Sequence, residues 1–115
     1  MAELLQTYGS TFLEGFKITI YSSVLALLFS LIIGTLMAIF QLSTNKVISG
    51  LAKAYVEFFR NIPLLIIVMF FYVVLPIYWI SFDGFQAGTI GLTIYTSAFI
   101  AETVRSGIQT VPKGQ

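Results

Sequence analysis

The chain has 115 residues, 57% of them hydrophobic and only 10% charged, against about 45 to 50% and about 25% in an average soluble domain. A globule this small cannot keep so much apolar surface from water, so lipid must take the surplus. The net charge of +1 comes without a basic run and leaves no footprint for nucleic acid. The absence of Cys and His removes disulfides, thiolate and imidazole metal sites and any nucleophile and base constellation, so the chain reads as no enzyme.

The expected class is an all-α membrane protein with three transmembrane helices. Residues 1–15 carry an apolar stripe of Leu4, Leu5, Tyr8 and Phe12, continued by Phe16, and read as an N-terminal amphipathic segment lying on the membrane surface. Residues Ile18 to Asn45 then run for 28 positions without a charge, more than the roughly 20 residues that cross a hydrocarbon core. The first span is placed at about 18–42; it is too long for the apolar part of a signal peptide. Within it Ser22, Ala26, Ser30, Gly34 and Ala38 recur every four residues. Five small side chains on one face suit close packing against another helix, with the lining of a pathway as the alternative.

Between the first two spans, Val47, Ile48, Leu51, Tyr55 and Phe59 form a second amphipathic stripe. Arg60 and Asn61 follow at the membrane edge, where snorkelling and capping account for them. The second span, about 62–82, opens at Pro63, which suits a first helical turn. Pro76 ends or kinks it, and Tyr78, Trp79, Phe82 and Phe85 form an interfacial aromatic group. The third span, about 85–104, is the least apolar and is rich in Gly, Ala, Ser and Thr, which suits the inside of a bundle. Glu102 stands near its end with Arg105 three residues on along the same face. An ion pair or subunit contact is one reading; the other is a part in conducting a charged solute. Pro112 and Gly114 mark the stop of this helix.

Lys46, Lys53, Arg60, Arg105 and Lys113 lie on one side of these spans and Lys17 on the other. The positive-inside rule therefore puts the 43–60 loop and the C-terminus in the cytoplasm and the N-terminus outside.

Two stretches go beyond composition. Val56 to Pro76, VEFFRNIPLLIIVMFFYVVLP, resembles the membrane-spanning subunits of ATP-binding-cassette importers for polar amino acids, in which an aromatic, Arg, a small or polar pair and Pro-Leu-Leu open a helix. Tyr95 to Gln115, YTSAFIAETVRSGIQTVPKGQ, resembles the approach to the cytoplasmic coupling loop of those permeases, matching at Glu102, Arg105, Gly107, Val111, Pro112, Gly114 and Gln115. A weaker likeness covers Gly15 to Gly34. The resemblance implies a type I importer permease with a five-helix core, residues 16–115 being an incomplete copy that stops before the Glu-Ala-Ala coupling motif.

It also implies separate ATPase subunits that bind the ATP, so that this chain needs no cofactor. A second permease copy or a paralogue, an extracytoplasmic binding protein and a bacterial cytoplasmic (inner) membrane location are implied with them. Arg60, Asn61, Pro63, Glu102, Arg105, Gly107, Pro112, Gly114 and Gln115 are then the motif or pathway candidates. Glutamine, glutamate, arginine and histidine are all allowed as cargo. The competing expectation is a small three-helix membrane scaffold or regulatory subunit, complete at this length. A proton- or ion-driven carrier fits less well, because the first two spans hold no charge.

Overall fold

The computed structural model describes residues 2–111, and among them every regular element is helical. The first helix, α1, runs from Ala2 to Gln41. At 1.5 Å per residue its 40 residues extend about 60 Å, close to the 63 Å long dimension of the molecule. The expected surface segment at 1–15 and the first span are thus one helix, since nothing between Phe16 and Ile18 breaks it: there is no Pro, and the Thr19 hydroxyl donates back to the Gly15 carbonyl at 2.9 Å. A tightened last turn, with Leu42 N donating to Ile39 O and Ser43 N to Phe40 O, closes α1.

Asn45 then caps α2, Lys46–Asn61, accepting from the backbone of Val47 and Ile48. The chain turns sharply at Ile62 and Pro63 into α3, Leu64–Met69, a π-helical stretch at Phe70–Val74, and α4, Leu75–Tyr78. Pro63 stands just ahead of α3, its carbonyl accepting from Ile66 N. The wide turn lies immediately before Pro76, which has no N–H to give back to Tyr72; it takes up the mismatch that Pro76 would otherwise impose on the helix. The kink expected at Pro76 therefore appears one turn early, as a π-helical stretch. Asp83 and Gln86 form a reciprocal capping box that starts α5, Gly84–Thr110. This helix continues beyond the stretch expected to span the membrane, 85–104, because Arg105 to Gln109 contain nothing that disfavours a helix except Gly107. It ends at Thr110, and Val111, the residue before Pro112, is extended as that position prefers.

Helices α1 and α5 run parallel. Ser22 meets Thr89 near their starts, with hydroxyls 2.8 Å apart, and Gly34 meets Ser97 and Ile100 further along. Helix α3 returns in the opposite sense, with Val68 against Gly91 of α5. Among the described residues one helix, Ala2–Gln41, is by itself long and apolar enough to cross a membrane; α2 and the Leu64–Tyr78 limb pass that test only together, bent by 104°.

The interior is built from small side chains. Ala26, Ser30, Ala38, Ala52, Ala87, Ser97, Ala98 and Ala101 are buried, while large residues such as Phe12, Phe29, Leu65 and Trp79 point outward. Such inverted packing suits a lipid exterior, where apolar side chains gain nothing by hiding and close backbone approach supplies the cohesion. The aromatic group divides: Tyr78 and Trp79 are exposed, whereas Phe82 packs edge-on to Phe71 and Phe85 stacks on Tyr21.

A methyl group added at Gly34 would lie 2.7 Å from Cγ2 of Ile100 and 2.8 Å from the Ser97 carbonyl oxygen, so Gly34→Leu must push α1 and α5 apart. The expected result is a loss of about 1 to 3 kcal/mol, the usual cost of overpacking, seen as a lower melting temperature in detergent. Gly15→Ala, at a position with open space around it, should instead hold or raise that temperature.

Candidate functional site

The ion pairs among the described residues gather where the C-terminal ends of α1 and α2 meet the last turns of α5. Glu102 of α5 is the hub. Its carboxylate accepts from both Nε (3.2 Å) and the terminal nitrogen of Arg105, one turn along the same helix. Arg60, from the last turn of α2, approaches the same carboxylate at 3.9 Å and lies 5.8 Å from the ring centre of Phe99, within the range at which an aromatic face attracts a cation. Arg105 is further fixed by a 2.7 Å hydrogen bond to Gln109 Oε1. One carboxylate thus hydrogen-bonds Arg105 of its own helix and stands within ion-pair distance of the exposed Arg60, a looser contact between α2 and α5.

Local sequence explains most of this placement. Glu102 and Arg105 share a face because they are three residues apart on a helix. Arg60, although exposed, stands beside α5 because it lies in the last turn of α2, just before the chain turns at Ile62 and Pro63. Asn61 donates to the Glu57 carbonyl at 2.6 Å and so closes the end of α2, rather than starting the helix that follows. Gly107 lies within α5 with open space around it. Pro112, Gly114 and Gln115 lie outside the described residues.

A second polar contact braces the middle of the bundle. The buried Ser97 hydroxyl gives its proton to the Ile94 carbonyl at 2.7 Å, so Tyr55 of α2 is the donor in the 2.9 Å bond between the two hydroxyls. Below it, Ser49 of α2 donates to the Gln41 carbonyl at 2.8 Å. The sequence reading missed Tyr55 as a polar contact and treated it as part of an apolar stripe. That stripe is largely outward: Val47 and Leu51 are well exposed, and α2 buries Ser49, Ala52 and Val56 instead. The signal available was the small-residue spacing of Ser49, Ala52 and Val56.

On the small-residue face of α1, Ala26, Ser30, Gly34 and Ala38 are buried and Ser22 is half-buried. Among the described residues no group of His, Cys, Asp and Glu could hold a metal ion. The cluster carries charge and hydrogen bonds but no nucleophile or base arrangement.

The arrangement of a parallel helix pair, a bent α2–α3 limb and a terminal ion cluster has counterparts among known proteins. Residues 30–115 match the family of binding-protein-dependent transport system inner membrane components. The chain belongs to that family. A solved amino acid ABC transporter with histidines superposes with a TM-score of 0.87 at 32% identity, over 96% of this chain and 51% of that one. A probable glutamine ABC transporter permease of Bacillus subtilis is 52% identical over 92% of this chain and 49% of its own length. A putative glutamine transport system permease of Rickettsia conorii is 37% identical over 97% of this chain, and a glutamate/aspartate import permease of Escherichia coli is 30% identical over 90%. The permease chain spans about half the length of the curated relatives it matches. The family is one of transport permeases rather than enzymes.

Removing the hub charge of the permease should leave two guanidinium groups facing each other. Glu102→Gln is expected to cost roughly 1 kcal/mol or more, above an exposed pair and below the 3 to 5 kcal/mol of a fully buried one. Arg105→Lys, which keeps the charge but loses the two-pronged geometry, should cost less. Thermal unfolding in detergent checks both, and an unchanged melting temperature for Glu102→Gln would show that the cluster contributes nothing to stability.

Proposed function

We propose that this chain serves in the membrane-spanning subunit of an ATP-driven importer of polar amino acids. The observation that carries the reading is its 52% identity, over nearly its whole length, to a probable glutamine permease. Glutamine is therefore the first cargo to test, with glutamate and aspartate next.

In this reading the chain crosses the bacterial cytoplasmic (inner) membrane three times. Helix α1 and α5 both run inward, and the α3–α4 limb returns outward between them. The N-terminus and the Asp83 turn then face outside, and α2 and the end of α5 face the cytoplasm. Separate ATPase subunits bind and hydrolyse ATP at the cytoplasmic face. A binding protein delivers the amino acid from outside, and a second permease copy or paralogue supplies the other half of the pathway. The small-residue seam of α1 packs the helix pair. Arg60, Asn61, Pro63, Glu102, Arg105 and Gly107 shape the cytoplasmic edge, and Pro112, Gly114 and Gln115 belong to the sequence motif that resembles the approach to the coupling loop.

Because the permease moves solute by alternating access, its own residues perform no bond chemistry. Their work is to make one state favourable when the ATPase sites are empty and another when they are filled, and the ion cluster between α2 and α5 is placed to report the position of α5 to the bent limb.

Two measurements test this. In the full reading frame that encodes the chain, co-expressed with its ATPase, hydrolysis by the purified complex should rise when binding protein and glutamine are added together; an unresponsive rate, or no association with the ATPase, would favour the scaffold reading. For orientation, a cysteine at Asp83 should react with an impermeant maleimide added outside cells, and one at Lys53 only after permeabilisation. The reverse pattern would invert the topology.

A further inference from the structure

Beside the ion cluster lies a half-open cavity of about 270 Å³ between the end of α1, α2 and α5. This is below the roughly 300 to 1,000 Å³ of pockets that hold drug-sized ligands, so a smaller solute fits it. Val56, fully buried, forms its floor, and Gln41, Lys53, Glu57, Arg60 and Glu102 line it with Arg105.

The cavity contains more hydrogen-bonding capacity than the protein uses. Gln41 is only 5% exposed, yet its side-chain Nε2 donates to nothing among the described residues. A buried donor left unpaired costs about 1 to 3 kcal/mol, and such a group calls for an explanation. The terminal torsion of glutamine is soft, so the amide can turn its donors into the cavity toward an acceptor. Lys53 and Glu57, one helical turn apart on α2, also make no ion pair within 4.0 Å among the described residues, whereas Glu102 is already shared by Arg105 and Arg60. The free valences at this spot are therefore two kinds of donor, the Gln41 amide and the Lys53 ammonium with the outer nitrogens of Arg60, and one acceptor, the Glu57 carboxylate.

We propose that this cavity is a binding site for an α-amino-acid zwitterion, whose carboxylate takes the Gln41 amide, Lys53 and Arg60 while its ammonium takes Glu57. A simple anion such as phosphate would satisfy the donors but would face Glu57 and Glu102 unfavourably; a simple cation would meet three positive groups. Only a ligand carrying both charges answers the whole set. The site rests on the amino-acid importer reading. Under the topology proposed above it lies at the cytoplasmic edge, on the release side, where occupancy by imported amino acid bears directly on the Arg60–Glu102 link between α2 and α5.

The test is titration calorimetry on the permease in its full reading frame, in detergent, without ATPase or binding protein, so that the outcome is separate from the transport assay. The probes are L-glutamine, glutaramate (no ammonium), glutamine carboxamide (no carboxylate) and inorganic phosphate. Glutamine should bind, and either Lys53→Gln or Glu57→Gln, both at exposed positions that leave the fold intact, should weaken it by about tenfold or more, the effect of losing one charge-assisted hydrogen bond. The Lys53→Gln penalty should vanish for the carboxamide and the Glu57→Gln penalty for glutaramate. Gln41→Leu should abolish binding. Glutamine affinity untouched by both α2 variants would overturn the proposal, as would an absence of glutamine binding. Phosphate binding as tightly as glutamine would also overturn it, by showing a plain anion site.

Discussion

The rest of the structure depends on how closely α1 can approach α5. At Gly34 there is no room for even a methyl group, and the buried faces of both helices are made almost wholly of Ala, Gly, Ser and Thr. In lipid, apolar side chains have no water to escape, so two helices associate through dense backbone contact and occasional hydroxyl bonds such as Ser22 to Thr89. Once that parallel pair is set, the return limb has one groove to occupy, and Val68 settles against Gly91. The bulky residues are left for the outside by exclusion rather than by attraction.

Polarity is rationed in the same way. Serines and threonines inside the bundle spend their protons on the carbonyls of the preceding turn, as Ser30 does with Leu27 and Ser97 with Ile94, which costs the helix little. Full charges stay out of the packed middle of the bundle, and Glu102 pairs with Arg105 and approaches Arg60 near the end of α5 without deep burial. Tyr55 connects the two regimes, since its hydroxyl reaches the buried Ser97 while its ring packs on Phe59 nearer the ion cluster.

What could be read from the sequence follows the range of the interactions involved. The four-residue spacing from Ser22 to Ala38 is local, and the face it defines is the one α1 turns inward. Glu102 and Arg105 are three residues apart, and their pairing needs only a helix. Arg60 meeting Glu102 across 42 positions of sequence, or Tyr55 meeting Ser97, depends on the direction in which the chain leaves Pro63, and no short pattern encodes that direction. The helices are longer than the uncharged runs that mark the expected spans: α1 continues through Lys17 and α5 through Arg105, because a charged residue is a good helix former wherever its head can reach water. Part of the family likeness rests on residues at a helix end and a turn, Arg60, Asn61 and Pro63, where backbone geometry restricts the choice of side chain.

The 104° turn at Pro63 has a mechanical meaning. When the limb beyond it stands across the bilayer, α2 is left lying nearly flat, with Val47, Leu51 and Phe58 on its outer side and Lys53 and Glu57 among its polar groups. In the topology proposed above, a flat amphipathic rod joined to an upright one would act as a float and set how deep the bundle sits. A movement that rocked the upright limb would then lift or sink α2 through the headgroup layer, and the composition of the surrounding leaflet would become part of the resistance against which the bundle moves.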